Sequence, residues 1–216
     1  MTYIDFVTEQ IKHIEPGTPI YIADLAVLLA EKFDLKINKA NAATSVAMKR
    51  ILDRKYFPYL RFYKKGIYYF TIDTPFGEVG IDKEQLIQRK YLSHDTGYET
   101  EYTALYRLGL TTQVPAERVI VTNKTKEGLR MDKNLGVYTR CPKTEITKDN
   151  KNYLQVLDVL GLIDKAPIDA EEPYILLSNY LVSRNLRYDK LLALANRYYP
   201  QNAAIEIARI ANAGEA

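Results

Sequence analysis

Ten lysine and arginine side chains lie between residues 32 and 65, enough to form ion pairs with several phosphate groups. Two acids, Asp34 and Asp53, lie in this basic window, so ten bases minus two acids give +8. Residues 1–31 carry a net charge of −4 and the residues after Lys65 a net charge of −1, so the basic window outweighs the rest of a chain whose total net charge is +3. Contact with a nucleic-acid backbone is therefore favoured over a merely solvated basic surface, although basic runs are common. The ten bases are Lys32, Lys36, Lys39, Lys49, Arg50, Arg54, Lys55, Arg61, Lys64 and Lys65.

A second set of polar residues could read base edges. The pattern predicts a helix from Asn41 to about Arg54, with N-cap candidates at residues 38–41. Asn, Thr, Ser and Lys side chains suit hydrogen bonding in the major groove. We expect Ala43, Val46, Ala47, Ile51 and Leu52 on the buried side, and Asn41, Thr44, Ser45, Met48 and Lys49 on the other.

A basic hairpin is predicted next, in the segment RFYKKGIYYF. Two runs of β-branched and aromatic residues, 59–63 and 67–71, flank Lys64-Lys65-Gly66, where glycine supplies the positive φ of a tight turn. Alternation along the strands places some of Leu60, Phe62, Tyr68 and Phe70 in the core. The side chains expected to face phosphates are Arg61, Tyr63, Lys64 and Lys65.

The elements that would position these residues are two earlier helices, Tyr3–Ile14 and Tyr21–Phe33, predicted from their apolar spacing. The order of helix, turn, helix and basic hairpin predicts a winged helix-turn-helix that binds double-stranded DNA. The predicted DNA-binding residues are Asn41, Thr44, Ser45, Lys49, Arg50, Arg54, Arg61, Tyr63, Lys64 and Lys65.

A turn-rich connector at residues 73–80 predicts a domain boundary near Gly80. We therefore expect an α+β protein with a winged helix in residues 1–80, followed in residues 81–216 by a mixed α/β domain with a helical C-terminal region. After Thr100 a helix should bury Tyr102, Leu105, Tyr106 and Leu108 and end at Gly109. Strands are predicted at 118–122, 129–131 and 136–141, and helices at 153–162, 173–183, 188–199 and 203–211.

Residues suited to catalysis are sparse. Ser93-His94-Asp95 has the residue types of a hydrolytic triad, but neighbours in sequence point in different directions. Cys141 has no second cysteine for a disulfide and no histidine at metal-ligand spacing. Phosphate-loop and dinucleotide-binding glycine patterns are absent from the sequence. We therefore expect no enzymatic activity, no cofactor and no metal site. The N-terminus does not resemble a secretion signal and no apolar run approaches 18 residues, so a cytoplasmic location is expected.

Two blocks together carry a family resemblance. GYETEYTALYRLGLTTQVP, residues 97–115, is followed by RVIVTNKTK, residues 118–126, and the hairpin contains KGIYYF, residues 65–70. In this order the blocks resemble the AbiEi-like antitoxins, over residues 20–126.

The resemblance implies an antitoxin and transcriptional autoregulator of a type IV toxin–antitoxin (abortive-infection, phage-defence) system. Its first domain would bind the operator in its own promoter, and a homodimer on paired half-sites would fit such a role. Its second domain would counter a nucleotidyltransferase-like toxin, and a stable complex with that toxin is not required.

Two alternatives stay open at this point. The tyrosine-rich chain, with 18 Tyr, could be a protein-interaction module without nucleic-acid binding. The same basic face could also bind RNA.

Overall fold

The computed structural model describes residues 1–214, apart from the side chain of His94. The chain divides into two compact units, Met1–Leu86 and Ile87–Ala216, and mixes helices with sheets, so the α+β class is confirmed. The boundary expected near Gly80 precedes this division. In the described part of the chain, no helix combines the length and the apolar character needed to cross a membrane.

Three helices begin the first unit: α1 (Tyr3–Ile11), α2 (Ile22–Phe33) and α3 (Ile37–Asp53). The α1 N-terminus is closed by a capping box, because Thr2 and Asp5 each accept a hydrogen bond from the other's backbone N–H. The α2 helix ends where Asp34 takes a left-handed φ of 50°, so that the chain turns into α3 within a few residues. Apolar side chains of all three helices share a core with the following hairpin, including Val7, Ile11, Leu25, Leu29, Met48, Ile51, Leu60 and Tyr68.

The predicted basic hairpin is present, and it belongs to a three-stranded antiparallel sheet. Its strands are β2 (Leu60–Lys64) and β3 (Ile67–Phe70), and a strand that the sequence pattern did not predict, β1 (Ile20–Tyr21), pairs with β3. Gly66 has a φ of +81°, the conformation expected for the turn. Its carbonyl accepts a hydrogen bond from the Ile22 N–H at 2.9 Å, and the Phe70 carbonyl accepts one from the Gly17 N–H at 2.7 Å. The hairpin is therefore anchored at both ends.

The connector after β3 forms a second, small hairpin, β4 (Asp73–Thr74) and β5 (Gly77–Glu78), followed by α4 (Lys83–Ile87), which crosses the division between the units. The pattern had indicated only turns for residues 73–80. Phe76 at the tip of this hairpin is fully exposed.

The second unit is built on a four-stranded sheet with strand order β6-β7-β9-β8: β6 (Gly97–Thr100), β7 (Val119–Thr122), β8 (Leu129–Asp132) and β9 (Val137–Arg140). The β7–β9 pair is parallel and the other pairs are antiparallel. A π-helical turn (Gln88–Leu92) and a 3₁₀ turn (Ser93–Asp95) lead into β6. A Cβ on Gly97 would lie 2.2 Å from the Tyr91 carbonyl oxygen, so only glycine fits there.

The helices of this unit are α5 (Glu101–Arg107), α6 (Lys151–Leu160), α7 (Pro173–Ser183), α8 (Tyr188–Tyr198) and α9 (Asn202–Gly214), which confirms the predicted helical C-terminal region. They enclose an apolar core around α6. The predicted inner face of α5 was partly wrong. Tyr102 and Tyr106 are 45% and 43% exposed, whereas Thr103, Ala104 and Leu105 are buried.

Candidate nucleic-acid interface

The buried face of α3 differs from the prediction. The helix begins four residues earlier than expected, at Ile37, and its buried positions follow helical spacing at Ala40, Thr44, Ala47, Met48 and Ile51. Thr44 is 0% exposed and its hydroxyl oxygen has no hydrogen-bond partner among the described residues, so the expectation that Thr44 lies on the outer side of the helix was wrong. Met48, expected on the outer side, is buried, and Val46, expected in the core, is 49% exposed.

The outer surface of α3 carries two parallel ridges of side chains. Asn41, Ser45 and Lys49 follow one another at four-residue spacing, so they share one ridge. Val46 and Arg50 lie on the neighbouring ridge, and both are exposed. The Ser45 hydroxyl donates to the Asn41 carbonyl at 2.8 Å, which leaves its oxygen lone pairs as acceptors. Together these residues present hydrogen-bond donors and acceptors, two positive charges and one apolar side chain to solvent.

Arg54 and Lys55 continue this surface at the end of α3. Arg54 is the C-cap residue, exposed, and its guanidinium lies 3.4 Å from the Tyr56 hydroxyl. Lys55 is also exposed and has a left-handed φ of 53°. The basic surface thus follows the chain beyond the last turn of the helix.

A bulge shapes the tip of the β2–β3 hairpin. Phe62 pairs with Tyr68 and Lys64 pairs with Ile67, so Tyr63 is the extra residue between them. The Lys64 ammonium lies 5.6 Å from the centre of the Tyr63 ring, and Lys65 is exposed. Lys64 and Lys65 therefore sit together at the turn, with Tyr63 beside them.

Core packing of the hairpin agrees with the expectation at three positions. Leu60, Tyr68 and Phe70 are buried, whereas Phe62 is 53% exposed. The Phe62 and Tyr68 rings still make an edge contact, with centroids 5.4 Å apart. Burial, with a smaller effect from the Asp53 carboxylate, raises the pKa of Tyr68. The hairpin is thus attached to the helices through one face.

Arg61 lies in a different environment from the other predicted phosphate contacts. Its guanidinium forms a 2.7 Å salt bridge to Glu78 on β5 and donates to the Pro58 carbonyl at 2.7 Å. The hydrogen bond to Glu78 is the main reason that the pKa of Arg61 is raised. This pairing directs Arg61 toward the β4–β5 hairpin and sets it apart from Lys64 and Lys65.

The remaining bases of the window have no such pairing. All ten are exposed or partly exposed, and within residues 1–214 no carboxylate lies within salt-bridge distance of any of them except Arg61. An unpaired base on the surface keeps its full charge available to a phosphate.

A buried polar cluster in the second unit was not predicted. Asp158, on α6, is 8% exposed, and its carboxylate accepts hydrogen bonds from four side chains. The donors are Tyr98 at 3.1 Å, Thr100 at 3.0 Å, Arg140 at 3.1 Å and Tyr199 at 2.9 Å. Burial, followed by the nearby Asp158 charge, raises the pKa of both Tyr98 and Tyr199. We call these five residues the Asp158 cluster.

Sequence patterns barely indicate this cluster, because its members come from β6, β9, α6 and the end of α8. The one local signal is an aspartate between apolar residues in the pattern of α6, where a charged residue needs a partner.

Other candidate chemistry has less support from the geometry. The Ser93-His94-Asp95 interpretation depends on the His94 side chain, which lies outside the described residues. Across the described part of the chain, no three His, Cys, Asp or Glu side chains form a group that could hold a metal ion. Cys141 is a free, half-buried thiol.

No protein-family model matches the chain, and a search of curated proteins finds no significant match.

Proposed function

We propose that this protein is a sequence-selective DNA-binding regulator whose first unit is a winged helix-turn-helix. In this proposal α3 enters the major groove and the β2–β3 hairpin is the wing that contacts the phosphate backbone. The observation that carries the proposal is the concentration of unpaired, solvent-accessible bases on α3, on the residues that follow it and on the hairpin tip.

The outer ridges of α3 support base reading in addition to charge neutralisation. Asn41 and Ser45 can exchange hydrogen bonds with base edges, and Lys49 and Arg50 can donate to guanine or to phosphate. Thr44 is not part of the proposal, because it is buried. Arg61 takes part only if its salt bridge to Glu78 opens.

The biological role we propose is that of an antitoxin and autoregulator in a type IV toxin–antitoxin system, acting in the cytoplasm without enzymatic activity. This part of the proposal rests on the resemblance of residues 20–126 to AbiEi-like antitoxins. The second unit would then counter a nucleotidyltransferase-like toxin, encoded by the neighbouring gene.

Binding to the protein's own promoter tests the DNA-binding part. The full chain should shift a duplex from the region upstream of its gene at lower protein concentration than a shuffled duplex of equal length and composition. The titrations should be repeated at several salt concentrations, because phosphate contacts make affinity salt-dependent. Equal affinity for both duplexes would contradict sequence-selective binding.

Competition and coexpression separate the remaining possibilities. Structured RNA that displaces the promoter duplex at equal concentration would favour an RNA-binding protein. Capture of a protein partner, with no preference for upstream DNA, would favour the interaction module. Expression of the neighbouring gene alone should arrest growth, and coexpression with this protein should restore it. A harmless neighbour, or toxicity without rescue, would overturn the antitoxin role and leave the DNA result unaffected.

A further inference from the structure

A cavity of about 300 Å³ lies beside the Asp158 cluster in the second unit. Ligand sites begin at about this size. Its wall includes Thr100 and Glu101 at the start of α5, Arg140 at the end of β9, Lys143, Asp158 and Tyr199. Polar and charged side chains from separate parts of the chain thus converge on one space.

The acidic groups of the cavity are already paired. Asp158 accepts its four hydrogen bonds within the cluster, and Arg140 also lies 3.3 Å from the Glu101 carboxylate. Arg140 therefore connects both acids. Both carboxylates therefore already have cationic or hydrogen-bond-donating partners inside the protein.

Lys143 has no such partner among the described residues. Its ammonium lies 3.6 Å from the centre of the Tyr199 ring, and no side chain in the described residues accepts a hydrogen bond or forms a salt bridge with it. Loss of hydration lowers the pKa of Lys143, and the nearby Asp158 carboxylate offsets part of this shift. Three bases line the cavity, Lys143, Arg140 and Lys165. Two acids, Glu101 and Asp158, line it as well, so the formal net charge of the lining is +1.

The helix termini do not change this balance. The cavity touches the starts of α5 and α9 and the ends of α6 and α8, so two positive and two negative partial charges face it. The excess positive charge therefore comes from side chains, and Lys143 is the group best placed to supply it.

The backbone at the rim is also unusual. Glu101 has a left-handed φ of 55°, a conformation that non-glycine residues rarely adopt. Such conformations need support from the surrounding structure and cluster at ligand sites. Here the conformation starts α5 directly at the cavity wall, with the Glu101 side chain reaching Arg140.

We propose that this cavity binds a small oxyanion-bearing molecule, a phosphate ester or a carboxylate no larger than a nucleoside monophosphate, and that the Lys143 ammonium is its anchor. The Tyr199 ring holds the ammonium at the cavity wall, and Arg140 stands beside it as a second, partly committed donor. The site is independent of the DNA-binding surface that we propose for the first unit.

Thermal unfolding and calorimetric titration of the full chain test this site. The probes are inorganic phosphate, adenosine monophosphate and citrate, each compared with sodium chloride at matched ionic strength, because salt alone screens surface charge. We expect saturable binding and a higher unfolding temperature with at least one probe. Preference for the phosphate probes or for citrate identifies which oxyanion the site takes.

Three variants distinguish the anchor from a general charge effect. Lys143→Met should weaken binding roughly tenfold or more, since it removes a charged hydrogen-bond donor, and Lys143→Arg should retain most of it. Lys148→Met, five positions further on, is the matched control and should bind as the wild type does, because Lys148 is exposed like Lys143 but does not line the cavity.

Lysine acylation offers a check that needs no variant. In the wild-type protein, a bound probe should protect Lys143 from N-hydroxysuccinimide acetate while Lys148 still reacts, as read by peptide mass spectrometry. The proposal is overturned if no probe binds saturably, or if Lys143→Met and Lys148→Met bind equally well.

Discussion

The Arg61 guanidinium lies 2.7 Å from the Glu78 carboxylate, seventeen residues further along the chain, and so links the two hairpins of the first unit. Both side chains are exposed to solvent, at 36% and 49%. In a protein that binds phosphates, this carboxylate competes with DNA for one of the ten bases of the window.

Removal of the competing carboxylate should therefore strengthen DNA binding. In Glu78→Ala, Arg61 becomes available for one additional phosphate, so the slope of log affinity against log salt should steepen by about one. Glu145→Ala removes an equal charge from an exposed site in the second unit and is the control. Weaker binding by Glu78→Ala would show that the salt bridge instead positions the hairpin.

The hairpin tip is tested by removal of its two lysines. The Lys64→Ala, Lys65→Ala double variant should bind more weakly to every duplex, with a salt slope reduced by about two, because phosphate contacts do not depend on sequence. Lys126→Ala, Lys148→Ala, at exposed positions of the second unit, should leave the slope unchanged. A gel-shift titration with an unaltered slope for the tip variant would remove the hairpin from the interface.

Thr44 provides a test of the observed orientation of α3. Thr44→Val replaces a buried hydroxyl without a partner by a methyl group of similar size, so the free energy of unfolding should rise by about 1 kcal/mol. DNA affinity should not change. Ser45→Ala, on the exposed ridge, should instead reduce the preference for the promoter duplex. Selective loss of DNA binding in a fully folded Thr44→Val protein would contradict this orientation.

The Asp158 cluster should contribute strongly to stability. Asp158→Ala removes the acceptor of three hydroxyl donors and a guanidinium, at a cost of about 3 to 5 kcal/mol in the second unit. Tyr98→Phe removes one donor and should cost about 1 kcal/mol. Urea denaturation followed by circular dichroism measures both, and Asp189→Ala, in an exposed ion pair, is the control. Equal stability of Asp158→Ala and the wild type would show that the cluster does not stabilise the second unit.

Acid stability should depend on Asp169. The Thr112 backbone N–H and hydroxyl, at 3.0 and 2.7 Å, hold the pKa of Asp169 below its ordinary value of 3.8. Because the folded pKa is the lower one, this stabilisation is present above about pH 4 and is lost as the pH falls through the folded pKa. Asp169→Asn should be less stable at pH 7 and lose less stability on acidification. Urea midpoints at pH 7 and pH 3 measure this, with Asp149→Asn as the control.

Local patterns predicted much of the fold. The helices of the C-terminal region and the hairpin turn at Gly66 follow from apolar spacing and turn chemistry, which are properties of neighbouring residues. The two-residue strand β1 was missed because nothing in Ile20–Tyr21 alone shows that it pairs with β3. The rotation of α3 was wrong because Val46 and Met48 are both apolar, and only packing decides which of them is buried.

The candidate sites, too, could be predicted only where their residues are close together in sequence. The basic window is visible in the sequence because its residues are close together along the chain. The Asp158 cluster is not, because Tyr98 and Asp158 are sixty residues apart and meet only after the sheet and α6 have packed. The salt bridge of Arg61 was equally hidden, since Glu78 lies in a segment that reads as a connector.

The attachment of the hairpin at both ends has a consequence for how a duplex would be recognised. The hydrogen bonds from Ile22 to Gly66 and from Gly17 to Phe70 join the hairpin to the first residue of α2 and to the segment before it. The entropy cost of ordering the hairpin is therefore met during folding and not on binding. A duplex that docks on α3 and on the tip meets two surfaces at a set separation. The DNA must then change its shape to fit. Sequences whose groove width and bending already match that separation would bind more tightly, even where the difference lies in base pairs that no side chain contacts.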